Sequence, residues 1–331
     1  MSRNPEYSSY TPDLELNLQK RGEVMEAVTP VVQENLGLLL DPAKAWEPSS
    51  ILPDPQSDDF FEVEEEARLL TPEVKIVIVG SLITEDGLPN FTAEISKHSP
   101  HGVSEEEDSP WEIWRNGWAS EEDRHGKLIG MYVRDSGGFQ TEQIERDVHA
   151  YIAAGFYPGM KGDPYEATMY AAWQERATQD SHKGLSRIAG EVGASHLHKA
   201  AGVMAGDEGR HAKFYKTIAG EIFRLDPENA ISSFERLVRR GLTMPGDTMQ
   251  GYNAVIEAST RAGIYGPQEY LDILQELINE WGIGEISLSG NADRKRYEII
   301  NRHARLSKII QRGANREPND ALNVMEERWL K

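Results

Sequence analysis

The sequence predicts an all-α fold, and three observations carry the prediction. Most of the 331-residue chain reads as long amphipathic runs, with apolar residues recurring every three or four positions, the period of an α-helix. Prolines mark where runs begin: Pro110 stands early in one, and Asp163-Pro164 and Asp226-Pro227 head two others, positions where a missing N–H costs nothing. Several runs approach about 28 residues, rods of about 40 Å, long enough to enclose a deep bundle core.

Taken in order, residues 1–16 contain Pro5 and Pro12 with little periodicity and read as a flexible N-terminal arm. A first helix is expected through Val24 to Leu40, interrupted near Pro30. Trp46-Glu-Pro-Ser-Ser-Ile-Leu-Pro-Asp-Pro reads as extended and proline-stiffened. Helical runs follow over 57–70, 72–97, 105–136, 141–154, 163–191, 194–224, 227–240, 247–263, 267–281 and 291–312. The tail over 313–331, with Pro318, is expected to pack loosely. Residues 17–312 are expected to form a single helical domain, because the residues of interest span 85 to 211 and must meet in one bundle.

Two Glu-x-x-His units, Glu122 to His125 and Glu208 to His211, are each preceded by a lone glutamate on an earlier helical stretch, Glu85 and Glu175. A Glu and a His three apart share one helix face and can grip one ion. The lone glutamates fall 37 and 33 residues before their units, the length of one helix, a turn and a return helix, so the same hairpin occurs twice. This is the ligand layout of a ferritin-like di-iron carboxylate helical bundle, here with additional helices. The apolar stretches before Glu85 and Glu175 place these carboxylates inside the bundle. Four ionised carboxylates facing one another there demand protons or cations, and two divalent ions cancel four charges. Carboxylate with imidazole suits iron or manganese; the absence of thiolate argues against a structural zinc site.

Composition narrows the rest. Zero cysteines exclude disulfides, Cys-ligated iron–sulfur clusters and Cys nucleophiles, and fit a reducing cytoplasmic setting. No dinucleotide-binding or phosphate-binding glycine loop is present, so electrons are expected from a separate protein. The first 30 residues lack a signal-peptide pattern, and Val74 to Val79 is far too short to span a bilayer. A net charge of −20 disfavours nucleic acid and anionic membranes as partners.

The stretches Trp46-Glu-Pro-Ser-Ser-Ile-Leu-Pro-Asp-Pro, Ile83-Thr-Glu-Asp-Gly-Leu-Pro89, Trp118-Ala-Ser-Glu-Glu-Asp-Arg-His-Gly126, Gln174-Glu-Arg-Ala-Thr178 and Asp207-Glu-Gly-Arg-His211 resemble the soluble acyl-[acyl-carrier-protein] desaturases, typified by plant stearoyl-carrier desaturases. The resemblance runs from about residue 20 to about 310. It implies that Glu85, Glu122, His125, Glu175, Glu208 and His211 hold two iron ions, with O2 as co-substrate. It also implies a homodimer, a fatty acyl chain carried on acyl carrier protein as substrate, a cis double bond as product, and ferredoxin as electron donor. Two departures stand out: the plant forms carry a transit peptide, and the loop between Phe60 and Val74 is shorter here. The missing targeting segment points to a bacterial, cytoplasmic member.

Further residues take expected roles. Thr178, three residues after Glu175, could guide a proton at the site, or bond its own i−4 carbonyl; Thr84 adjoins Glu85. Metal-bound imidazoles usually donate their second N–H to a carboxylate, and Asp207 is the candidate. The resemblance extends this into a His125, Asp207, Trp46 route for electrons, the alternative being that Trp46 packs the proline segment. Trp111, Trp114 and Trp118 read as a core stripe. His182, His196 and His198 lack a Glu three before them and read as capping or surface histidines. Two basic clusters, one of Arg236, Arg239 and Arg240 and one of Arg294, Lys295, Arg296, Arg302, Arg305, Lys308 and Arg312, are candidates to dock an acidic carrier. Two rivals share parts of the pattern. A ribonucleotide reductase small subunit needs a radical tyrosine near the metal, for which Tyr215 is available while position 129 is isoleucine. An iron store would be about half this length.

Overall fold

Seven helices begin with proline in the computed structural model, which describes residues 12–96, 109–160, 162–242, 244–313 and 321–331. Helices α1 (Pro12–Asn35), α2 (Pro48–Ile51), α3 (Phe60–Arg68), α4 (Pro72–Glu85), α5 (Leu88–Ser96), α6 (Pro110–Asp135) and α7 (Thr141–Ala154) form the first half. The second half comprises α8 (Pro164–Val192), α9 (Ser195–Leu225), α10 (Pro227–Arg240), α11 (Tyr252–Arg261), α12 (Pro267–Glu280), α13 (Gly290–Gly313) and α14 (Ala321–Trp329). Proline is the first residue of α1, α2, α4, α6, α8, α10 and α12. At the heads of α6 and α8 the side chains of Ser109 and Asp163 accept the N–H groups of Glu112 and Tyr165, which no helical carbonyl can reach. Among the described residues there is no strand, only an isolated antiparallel bridge between Phe139 and Leu330. No helix there is long and apolar enough to cross a membrane.

Four expectations about the first half of the chain need correction. Residues 12–16 begin α1 and are not part of an arm, while residues 1–11 lie outside the described residues. Pro30 does not interrupt α1: it is exposed, so the carbonyl it leaves unbonded meets water. The run over 72–97 is two helices, because Pro89 has no N–H to offer the Glu85 carbonyl four residues earlier, and α4 stops there. The segment after Trp46 includes the short helix α2.

The C-terminal segment is docked where a loose tail was expected. Leu322, Met325 and Trp329 are buried, and Trp329 Nε1 donates to Asp147 Oδ2 at 2.8 Å. Arg328 grips the same carboxylate, and the Gln140 backbone N–H bonds the Trp329 carbonyl at 2.7 Å.

Two apolar cores divide the long helices. Trp114 and Trp118 of α6, Tyr165 to Ala177 of α8 and Phe214 to Phe223 of α9 join α1, α10, α12 and α13 in one core. Leu128 to Val133 of α6, Leu185 and Ala189 of α8 and Leu197 to Met204 of α9 join α4, α7, α11 and α14 in the other. Helices α8 and α9 fold back on each other through Gly193, whose φ of 85° closes α8 in the left-handed region. The stretch of α6, α8 and α9 between the two cores is where the charged residues lie.

Candidate metal centre

The six residues singled out by spacing meet in that middle layer. Glu85 is the last residue of α4, Glu122 and His125 lie midway along α6, Glu175 on α8, and Glu208 and His211 on α9. All are buried, the two histidines completely. Glycine lets the helices close in beside them: a Cβ on Gly126 would lie 2.9 Å from Asp86 Oδ1, and one on Gly209 would lie 2.2 Å from Gln179 Nε2.

Two half-sites are visible in the distances. His125 Nδ1 lies 3.9 Å from Glu85 Oε2, 3.6 Å from Glu122 Oε2 and 3.4 Å from Glu208 Oε1. His211 Nδ1 lies 2.9 Å from Glu122 Oε1, 3.5 Å from Glu175 Oε2 and 3.9 Å from Glu208 Oε2. Glu122 and Glu208 thus turn one oxygen to each histidine, the posture of bridging carboxylates, while Glu85 and Glu175 each serve one side. Glu122 Oε1, Glu175 Oε2, both oxygens of Glu208 and the Nδ1 atoms of both histidines are buried without a hydrogen bond. Orphaned acceptors of this kind are rare and costly, and here they converge. The donor set and its geometry fit a pair of divalent cations.

Behind the histidines stand two carboxylates. His125 Nε2 lies 3.2 Å from Asp207 Oδ2, and His211 Nε2 lies 3.1 Å from Glu121 Oε2. Arg210 binds both carboxylates, its Nη2 reaching Glu121 Oε2 at 2.7 Å. Burial opposes ionisation of Glu121, but His211 and Arg210 override it and hold the carboxyl at about 2. Asp207 is likewise lowered against its burial, first by His125. Without cations the inner groups share protons. Burial, then the charges of Glu122 and Glu175, push Glu208 far above the usual carboxylate range. Burial would lower both histidines, yet the surrounding carboxylates raise them well above an ordinary imidazole.

Trp46 Nε1 donates to Asp207 Oδ2 at 3.0 Å, and its ring lies parallel to His125 at 6.0 Å. The guanidinium of Arg124, buried with Nε and Nη2 unbonded, sits 5.6 Å over the Trp46 ring. Thr178 Oγ1 donates to the Gln174 carbonyl at 2.8 Å, the i−4 arrangement, and Thr84 Oγ1 donates to the Ser81 carbonyl at 2.9 Å. Both threonines line a cavity of about 540 Å³ that also reaches Glu85, Glu122 and His182. Its remaining wall is largely apolar, including Met25, Val77, Phe156, Met160, Leu306 and Ile310. Tyr215 lies on the cavity too, edge-on to Trp114 at 6.0 Å.

Three residues escaped the sequence reading. Glu121 mirrors Asp207 by standing immediately before a Glu-x-x-His unit, a signal that was present. Trp118, read as core, also donates Nε1–H to Glu175 Oε1 at 3.1 Å. His182, read as a capping or surface residue, is buried with Nε2 3.4 Å from Glu85 Oε1. Its place seven residues after Glu175, two turns along the same face, was the available clue. His196 and His198 fit the original reading, bonding Glu66 and Ser186.

Bundle and cluster define the ferritin-like di-iron carboxylate class. Comparison with known proteins narrows it. Residues 20–330 match the family model for fatty acid desaturases, and the chain belongs to that family. It is 31% identical over 337 residues to stearoyl-[acyl-carrier-protein] 9-desaturase 1, chloroplastic, of Arabidopsis thaliana, covering 95% of this chain and 85% of that one. It is also 31% identical to the acyl-[acyl-carrier-protein] 6-desaturase of Thunbergia alata, covering 88% and 79%. The X-ray structure of DesA2 from Mycobacterium tuberculosis superposes with a TM-score of 0.59 at 16% identity, covering 83% of this chain and 99% of that one, and shares the fold. Family membership decides for the desaturase reading over a ribonucleotide reductase subunit or an iron store.

Proposed function

We propose that this protein is an O2-dependent acyl-[acyl-carrier-protein] desaturase that leaves a cis double bond in a carrier-bound saturated acyl chain. The observation that carries the reading is a buried carboxylate and imidazole cluster, its polar atoms unpartnered, lining an apolar cavity in a chain of the desaturase family. In overall balance the chain gives up two hydrogens from adjacent carbons, a donor supplies two electrons and solvent two protons, and O2 leaves as two waters. In this reading Glu85, Glu122, His125, Glu175, Glu208 and His211 hold two iron ions, which when bound supply the O2-derived oxidising power that no side chain has.

The chain's own residues do the rest. A cavity within the roughly 300–1,000 Å³ of ordinary ligand sites can hold an alkyl chain against the cluster and keep water away. Thr178 delivers a proton by turning its hydroxyl from the Gln174 carbonyl into the cavity. Trp46 and Asp207 lead electrons toward His125 from ferredoxin. The homodimer and the ferredoxin follow the resemblance, while a cytoplasmic location follows the absence of cysteine.

Of the two basic clusters, the one on α13 is the better carrier dock. Arg236 is engaged by Glu166 at 3.1 Å and by Asp163, Arg240 by Glu166 at 2.5 Å, and Arg239 by Glu235 at 2.9 Å. On α13, Arg305 meets Glu298 only at 3.9 Å, with both side chains more than half exposed, and Leu306 beside it lines the cavity. Arg305→Glu with Lys308→Glu should raise KM for the carrier-bound substrate about tenfold with little change in kcat, an effect that salt erodes. An unchanged KM removes α13 as the dock.

The test of the activity is an aerobic assay of iron-loaded protein with hexadecanoyl and octadecanoyl carrier substrates, ferredoxin, its reductase and NADPH, read by mass spectrometry. A mono-unsaturated acyl product is expected. Intact substrate alongside two bound irons would contradict the reading.

A further inference from the structure

The two half-sites are built alike except in how their terminal glutamates are held. Glu175 Oε1 accepts the indole N–H of Trp118 at 3.1 Å, which fixes the carboxylate plane while Oε2 faces His211. Glu85 has more freedom to lose, because it ends α4 and the chain turns away at Asp86 and Gly87. Among the described residues, the ring nitrogens near Glu85 are His125 Nδ1 at 3.9 Å and His182 Nε2 at 3.4 Å.

His182 is only 1% exposed, and neither of its ring nitrogens has a hydrogen-bond partner. A neutral imidazole carries one N–H that must go somewhere. The acceptors facing Nε2 are Glu85 Oε1 and, at 3.8 Å, Glu208 Oε1. His182 is not built as a ligand in the manner of His125 and His211, since among the described residues no carboxylate bonds its Nδ1 as Asp207 and Glu121 back the other two.

Resting on the reading of the six residues as metal ligands, we propose that His182 is the positioning residue of the Glu85 half-site. Its Nε2–H donates to Glu85 Oε1 and holds that carboxylate toward its ion, as Trp118 holds Glu175. An imidazole on one side and an indole on the other make the two metal positions separately adjustable.

The test uses the full chain, freed of metal and titrated anaerobically with Fe(II), with Mössbauer spectra recorded at saturation. Wild-type protein should bind two ions. His182→Leu, with helical content confirmed by circular dichroism, should weaken one of the two binding steps by about tenfold or more and shift one of the two Mössbauer doublets. His182→Gln, which offers an amide N–H in the same region, should restore binding to within about threefold of wild type. Trp118→Phe should shift the other doublet. His182→Phe gives the same comparison should His182→Leu not fold. The proposal is overturned if His182→Leu leaves both steps and both doublets as in wild type, or if His182→Gln is as impaired as His182→Leu, which would make the imidazole a direct ligand. Wild-type protein that takes up no Fe(II) would instead remove the ligand reading itself, before any variant is compared.

Discussion

Helix α8 contributes to two sets of buried carboxylates that are treated in opposite ways. Near its head, Asp163 and Glu166 are each met by arginines: Arg21 and Arg236 at Asp163, Arg236 and Arg240 at Glu166. Ser233 adds a hydrogen bond to Asp163 at 2.7 Å. Further along, Glu175 joins Glu85, Glu122 and Glu208, none of them paired with an arginine or lysine among the described residues, and Glu122 Oε1, Glu175 Oε2 and both oxygens of Glu208 are left without hydrogen bonds. The first set shows how this chain neutralises buried acids with its own cations. The second leaves that neutralisation to something from outside, which is how a metal site differs from an internal ion pair.

Breaking the second set should cost function without costing the fold. Glu175→Ala is expected to lose iron and to drop kcat at least about a thousandfold, while helical content and metal-free stability stay the same or rise as like charges part. Metal analysis and circular dichroism check this, and full iron content in the variant would remove Glu175 from the ligand set. Breaking the first set should do the reverse. Arg21→Met takes a buried cation from Asp163 and should destabilise the fold by about 3 kcal/mol in urea unfolding, with two irons still bound. A loss of metal without a loss of stability would show the two sets to be the same kind of site.

The contrast also sets a pH dependence. His125 and His211 hold their protons to unusually high pH in the metal-free protein, so metal must displace them. Affinity should fall as pH falls, about tenfold per pH unit for each proton released. Proton release measured in two buffers of different ionisation enthalpy checks the count, and pH-independent binding would contradict it.

The smallest expected effect concerns Asp147, a buried carboxylate outside both sets. Burial would raise it, but the hydrogen bonds of Arg328 and Trp329 hold it below the ordinary range. A depressed carboxylate contributes its stability above its unfolded value of about 3.9 and loses it as pH drops through the lowered folded value. The docking of α14 should therefore loosen only in acid, and Asp147→Asn should cost about 1–2 kcal/mol at neutral pH. Hydrogen exchange over residues 321–331 would report either change, and unaltered protection in the variant would dismiss the clamp.

How far the sequence could be read follows from the range of each contact. Glu122 with His125 and Glu208 with His211 were legible because helix geometry alone puts residues three apart on one face, and the two hairpin lengths added Glu85 and Glu175. Proline heads gave the starts of α6, α8 and α10. What went unread depended on partners distant in sequence. Trp118 reaches Glu175 across 57 positions, and Trp329 reaches Asp147 across 182, so neither a redox-site donor nor a docked C-terminus has a local signature. The break after Glu85 was hidden by a continuous apolar run, although Pro89 encoded it. His182 lacks a Glu three residues before it, yet its spacing of seven from Glu175 along α8 carries the same facial information.

The most direct test of the account is an anaerobic Fe(II) titration of metal-free protein beside the Glu208→Ala variant, whose missing carboxylate faces both histidines. Wild-type protein is expected to bind two ions per chain and to melt several degrees higher once loaded, and the variant to lose both tight binding steps. Fewer than one ion in the wild type, or two ions held equally tightly by Glu208→Ala, would contradict the account.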